Sequence, residues 1–265
     1  MRLRLFPTLG SLAAGVLLAA TLTATPAAAA GTDYAALGDS YSSGVGTNNY
    51  DGVSGSCLRS PQAYPRLWAN THVVATFQFV ACSGATTREV LSGQLGALNS
   101  GTDLVTISIG GNDAGFADVV TTCRLGSDSS CLSAVNTAKA YITTTLPGRL
   151  DETYRAVRSR APYARVVVLG YPRLFELGWC GFGSISEYKR NLLNGGSDTM
   201  SSVISSRAGA AGFTYVDVRG RFAGHGVCAA SPWINGTTWP VVESYHPNAS
   251  GHSSGYLPAL NATTA

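Results

Sequence analysis

Along the chain, short β-type apolar runs alternate with longer stretches of helical period. Tyr34-Ala35-Ala36-Leu37 is apolar throughout and Gly38-Asp39 ends it, which predicts a first strand with Ser40 on the turn beyond. Residues 47–60 are Gly, Asn and Ser with little to bury, and read as a loop. Pro61 opens a helix to about Asn70, with Tyr64, Leu67 and Trp68 on one side. Val73 to Val80, β-branched and aromatic, is the second strand and runs out at Ala81-Cys82-Ser83-Gly84-Ala85. Asp103 to Ile109 is the third, broken by Gly110-Gly111-Asn112-Asp113. A long helical stretch over 133–160 carries Leu146, Leu150, Tyr154 and Val157 at helical spacing, with Pro147 kinking or dividing it.

The apolar run over 165–169 suits a strand covered on both faces. A helix over 187–211 and a fifth strand over 213–218 follow. Residues 219–245 look like loop, and a short helix over 252–260 closes the chain. Strands alternating with helices predict an α/β fold, a mostly parallel sheet between two helical layers. No repeat or linker divides it, so one domain is expected over residues 31–265.

Ahead of that domain, Arg2 and Arg4 precede an uncharged apolar stretch over 9–24, and Ala28-Ala29-Ala30 follows. This is the pattern of a secretion signal over residues 1–30, cleaved near Ala30. A membrane anchor is the alternative, but Gly, Thr and Ala dilute the stretch below the roughly 18 consecutive apolar residues of a span.

Composition narrows the partners. Of 18 basic residues two leave with the leader, against 15 acidic ones, so the remaining chain is close to neutral. Neither nucleic acid nor stable membrane insertion is expected, and a monomer is. Six cysteines behind an export signal point to three disulfides rather than a metal site, and the chain has no Cys-x-x-Cys pair. Fifteen pairings are possible on paper; sequence neighbours suggest Cys57–Cys82, Cys123–Cys131 and Cys180–Cys228. The second would close an excursion with only Leu125 to hold it.

The predicted strand ends bring Ser40, Gly84 and Asn112 to one edge of the sheet, where α/β proteins place their ligands. By itself Gly38-Asp39-Ser40 is also an ordinary turn. A serine nucleophile needs a base, because its hydroxyl attacks poorly at neutral pH. Among the four histidines, His72 and His252 begin predicted elements and His225 sits in a Gly-His-Gly loop, all suited to structural roles. His246 lies in Glu243-Ser244-Tyr245-His246-Pro247, where one loop could hold both the imidazole and the group that orients it. The backbone N–H groups of Ser40 and Gly84 and the Asn112 amide are candidate donors to an oxyanion.

Gly38-Asp39-Ser40-Tyr41, Gly84 after Cys82-Ser83, Gly110-Gly111-Asn112-Asp113 and Glu243-x-x-His246-Pro247 occur in the order of the sequence blocks of SGNH (GDSL-type) hydrolases. With the cysteines and the leader, the chain resembles the secreted actinomycete lipases, esterases and phospholipases A1 of that family. The resemblance spans nearly all of residues 31–265. It implies a three-layer, flavodoxin-like α/β/α domain, a Ser40 nucleophile, a His246 base and an oxyanion hole of Ser40, Gly84 and Asn112. It implies cysteines paired in sequence order, no metal and no cofactor. Asp39 and Asp113 fall to structural roles.

Many members have Asp-x-x-His where this chain has Glu243. Either the longer carboxylate reaches His246 Nδ1, or the Ser244 main-chain carbonyl does; the carbonyl is preferred, since fixing the tautomer needs only an acceptor. The expected substrate is a lipid or other small ester: fatty-acyl esters and triacylglycerols first, phospholipid sn-1 esters second, acetylated polysaccharide third. A secreted binding protein that keeps the fold without chemistry is the reading from a different class, and the intact Ser40, Asn112 and His246 set argues against it. Tyr41, Tyr50, Phe116, Phe182, Trp233 and Trp239 could line an acyl groove, although most are expected in the core.

Overall fold

A computed structural model describes residues 1–4 and 31–264. Most of the expected secretion signal, and its cleavage site, lie outside the described residues. Five strands form one parallel sheet: β1 (Thr32–Gly38), β2 (Val74–Phe79), β3 (Leu104–Ser108), β4 (Arg165–Leu169) and β5 (Thr214–Val216), in spatial order β2-β1-β3-β4-β5. Every residue of β3 and the last five of β1 are buried, so the centre of the sheet is covered on both faces.

The helices are α1 (Ser40–Ser43), α2 (Tyr64–Thr71), α3 (Thr87–Glu89), α4 (Phe116–Leu125), α5 (Asp128–Thr144), α6 (Leu146–Arg160), α7 (Glu187–Ala210), α8 (Arg219–Phe222) and α9 (Leu257–Thr264). α2 and α9 pack together, against β2 and against β4 and β5 respectively; α6 packs on α5 and α7, and α7 on β5. The core runs through the sheet, with Tyr34, Leu37, Ile107, Leu146, Leu150 and Tyr154 almost fully enclosed.

This strand order reverses direction between β1 and β3. The crevice at such a switch point, beyond the carboxyl ends of the strands, is the usual ligand site of open α/β sheets. β1 delivers Ser40 to that crevice and β3 delivers Asn112.

Several sequence expectations change, among them residues 219–222, read as loop, which form α8. The helical stretch expected over 133–160 starts earlier, at Asp128, because the Ser127 hydroxyl caps it by accepting from the Ser130 N–H. It divides at Thr145, and Pro147 sits in the first turn of α6, where its missing N–H costs nothing. Residues 116–125 form a further helix whose Val120 and Cys123 face inward at i, i+3 spacing. Cys123–Cys131 therefore joins the end of α4 to the start of α5 and closes no structureless excursion. Cys57–Cys82 ties the loop before α2 to the end of β2, and Cys180–Cys228 links the segments before α7 and after α8.

At the end of β1 the backbone must turn in a space closed by β3. Gly38 has φ of +121°, and a Cβ there would lie 2.4 Å from the Ser108 carbonyl oxygen. Gln94 locks the turn from the side: its carbonyl accepts from the Gly38 N–H at 2.7 Å and its amide donates to the Gly38 carbonyl at 2.9 Å. Gly38→Ala combines backbone strain with a backbone clash and should cost about 2–4 kcal/mol. Gly84 also has a positive φ, +78°, but open space around its missing Cβ, so Gly84→Ala should cost about 1 kcal/mol. Urea unfolding of the two variants checks this; equal losses would contradict it.

Candidate active site

Ser40 is set by the cap of its own short helix. The Asp39 carboxylate accepts from the Tyr41 N–H at 3.0 Å, and the turn closes at Gly44, which is left-handed. Ser40 is thereby the first residue of α1, directly beyond the sheet edge.

His246 comes from the other end of the chain. Its Nε2 lies 2.8 Å from Ser40 Oγ and its Nδ1 3.0 Å from the Ser244 carbonyl oxygen. A carbonyl can only accept, so Nδ1 carries the ring proton and the neutral Nε2 accepts from the Ser40 hydroxyl. Bringing Nδ1 back onto a carbonyl two residues earlier requires a sharp bend. Tyr245 supplies it with φ of +61°, a left-handed conformation unfavourable by about 1–2 kcal/mol for a residue with a side chain. Several hydrogen bonds hold the bend: Tyr41 Oη donates to the Tyr245 carbonyl at 2.8 Å, the Tyr245 N–H donates to the Asn235 carbonyl, and the Asn235 N–H donates to the His246 carbonyl.

The Glu243 carboxylate makes no hydrogen bond to the imidazole among the described residues. Its carboxylate accepts from the Tyr50 hydroxyl at 2.7 Å, and that hydroxyl accepts from the Gly46 N–H. The side chain thus anchors the loop after α1, and its reach is spent there. Of the two acceptors considered from the sequence, the Ser244 carbonyl is the one in contact with the ring.

The oxyanion candidates come from three different strand ends. The Asn112 amide donates one N–H to the Ala85 carbonyl at 2.9 Å, which fixes the group and leaves its second N–H over; Asn112 and Ser40 line the same cleft. The backbone N–H groups of Ser40 and Gly84 have no hydrogen-bond partner among the described residues. Asp113, beside Asn112, accepts from both the N–H and the hydroxyl of Thr87, and so ties the β3 loop to α3.

Burial sets the electrostatics. It pushes His246 down to about 4, against the opposing pull of the Ser244 carbonyl. It pushes Asp39 up to about 7, against the hydrogen bonds from Tyr171 and from the Tyr41 N–H. His252 is buried, held down to about 3, with Nδ1 accepting from the Tyr64 N–H. His72 stacks on Trp68 and His225 on Trp233, so these three histidines are occupied in packing.

The cleft beside Ser40 is walled by α4, α5 and α7 through Phe116, Val119, Val135, Ile142, Leu193 and Met200. Most of this wall was not apparent from the sequence, where the aromatic residues drew attention. Of the six aromatics considered, only Tyr41 and Phe116 line it. The expectation that most belong to the core fails as well: Phe182 is 99% exposed and Trp239 85%, Tyr50 and Trp233 are half-buried, and only Tyr41 is fully enclosed. The wall comes from inward faces of amphipathic helices, positions the sequence assigns to core or cleft without distinction. Tyr171, which bonds both Asp39 and Gly111, was also missed. Its place two residues past the end of β4 was the available signal. Among the described residues no group of three or more His, Cys, Asp or Glu could hold a metal ion, and no helix is long and apolar enough to cross a membrane.

Comparison with known proteins bears on the family and the fold. The model of the GDSL-like lipase/acylhydrolase family matches residues 36–253. Lipase 1 of Streptomyces coelicolor is 56% identical over 264 residues, covering 98% of each chain. An extracellular lipase of Streptomyces rimosus, solved by crystallography, is 55% identical with a TM-score of 0.86 and covers 88% of this chain and 100% of its own. A phospholipase A1 of Streptomyces albidoflavus NA297 is 54% identical with the same TM-score, covering 88% of this chain and 99% of its own.

The buried ring should stay neutral down to about pH 4, the imidazolium forming as pH falls through that value. NMR titration of the His246 ring checks this. A midpoint near 6.5, the ordinary value of an exposed histidine, would contradict the buried, carbonyl-bound ring.

Proposed function

This chain belongs to the GDSL-like lipase/acylhydrolase family and is a carboxylic ester hydrolase, and from that premise we propose that Ser40 is its nucleophile and His246 its general base. The observation that carries the assignment is the contact of 2.8 Å between Ser40 Oγ and a His246 ring whose other nitrogen is fixed by a carbonyl. Nε2 takes the hydroxyl proton as Oγ attacks the ester carbonyl carbon. The carbonyl oxygen becomes an oxyanion facing the Ser40 and Gly84 N–H groups and the free N–H of Asn112. Collapse of that intermediate breaks the bond to the alcohol, which leaves with the proton from Nε2. Water, deprotonated by the same nitrogen, then releases the acid and restores Ser40.

The substrate class we propose is fatty-acyl esters, triacylglycerols among them. The cleft wall supports this: it offers aliphatic surface for an acyl chain, and among the described residues no lysine, arginine or histidine lines it. A phosphate-bearing head group would find no cation in the cleft. Glycerophospholipid esters are the second reading, favoured by the likeness to the phospholipase A1, and the head group would then remain outside the cleft. We further propose that the protein is exported after removal of a leader over residues 1–30 and acts as a monomer without metal or cofactor. The extracellular relative supports the export.

A panel of p-nitrophenyl esters, triacylglycerol and phosphatidylcholine, run with and without chelator, tests the reading. Hydrolysis should rise from acetyl to medium-chain esters and be indifferent to the chelator. Ser40→Ala should lower kcat by at least about 10⁴-fold while the protein stays folded. Near-normal turnover in that variant would overturn the assignment.

A further inference from the structure

Two of the proposed oxyanion donors sit on separate loops, one after β1 and one after β3, and parallel strands alone do not fix the spacing of the loops beyond them. One side chain spans the gap. Tyr171, two residues past the end of β4, donates its hydroxyl hydrogen to Asp39 Oδ2, and Tyr171 Oη itself accepts from the Gly111 N–H at 3.1 Å. Asp39 immediately precedes Ser40, and Gly111 immediately precedes Asn112. The Asp39 carboxylate is engaged at both oxygens, since Oδ1 accepts from the Tyr41 N–H. The phenol is thus the middle of a chain running from the amide of the nucleophile turn to the amide of the β3 loop.

The surroundings keep that oxygen in place. The Tyr171 ring meets the Tyr41 ring edge to face at 5.0 Å and is nearly buried. Gly111 lets the phenol close in, because a Cβ there would stand 3.3 Å from both Cζ and Oη. One oxygen of a buried carboxyl and a backbone N–H therefore depend on one hydroxyl for their bonding, and losing it would free both loops together.

We propose that Tyr171 is a positioning residue, whose hydroxyl sets the distance between the Ser40 amide and the Asn112 amide by pinning Asp39 and Gly111. This rests on the assignment of those two groups as oxyanion donors. It gives Tyr171 no contact with the reacting atoms. Its ring also forms part of the cleft wall, so the hydroxyl is the only part to remove.

The test is a double-mutant cycle of Tyr171→Phe and Asn112→Ala on a soluble short-chain ester, with rates referred to active sites titrated by a fluorophosphonate so that only folded protein counts. Tyr171→Phe should lower kcat by about 10- to 100-fold with KM changed less than about twofold. Placed on Asn112→Ala, the same change should cost less than about threefold, since the donor it positions has gone. A Tyr171→Phe kcat equal to wild type, or a loss of the same size in both backgrounds, would overturn the proposal while leaving the Asn112 assignment standing. Wild-type kcat in Asn112→Ala would overturn the donor assignment, and with it the proposal.

Discussion

The left-handed bend at Tyr245 lets the His246 ring fold back on its own loop and bond the Ser244 carbonyl. The state of the site follows from that hydrogen bond. It places the ring proton on Nδ1, leaves the lone pair on Nε2 and aims that lone pair at Ser40 Oγ. A carboxylate in the same place would stabilise the imidazolium more strongly, but would add a second buried charge to be compensated. The carbonyl accepts the hydrogen bond without that charge. Burial, against the opposing pull of that carbonyl, keeps the ring neutral down to about pH 4.

The rest of the fold can be read as support for holding that ring opposite one turn of chain. The order β2-β1-β3-β4-β5 brings the ends of β1 and β3 side by side at the switch point. Gly38 and Gln94 shape the exit from β1, and Asp39 caps α1 under Ser40. The imidazole loop belongs to none of the five strands and is fastened by an antiparallel bridge to residues 234–235 and by side chains. Tyr41 reaches the Tyr245 carbonyl, Asn235 Nδ2 reaches the carbonyls of Gly46 and Glu243, and the Glu243 carboxylate receives the Tyr50 hydroxyl. Glu243 thus serves the geometry of His246 through the loop it fastens, at one remove from the ring.

The order of elements was legible in the sequence because each boundary has a short-range cause, and the residues proposed for the site lie at those boundaries. Gly38-Asp39 breaks an apolar run, Gly110-Gly111 breaks another, and Pro247 marks the imidazole loop. The start of α5 was not found, since Ser127-Asp128 reads equally as turn or cap until Ser130 is seen to donate to it. The destination of Glu243 could not be read either, because its partner Tyr50 lies 193 residues away and nothing local indicates the pairing. Tyr171 and the aliphatic wall of the cleft belong to the same class: their meaning is tertiary, and an inward-facing Val135 or Met200 looks like core until the space beside it is seen to be open.

The claim that a main-chain carbonyl, and no carboxylate, holds the imidazole is tested most directly by the turnover of Glu243→Gln. Gln retains an oxygen that can accept the Tyr50 hydroxyl, so the loop keeps its fastening while the charge is removed. With Ser244 as the partner of Nδ1, kcat should stay within about threefold of wild type. A fall of about 10³-fold or more in a folded protein, the size expected when the carboxylate partner of a catalytic histidine is neutralised, would contradict it.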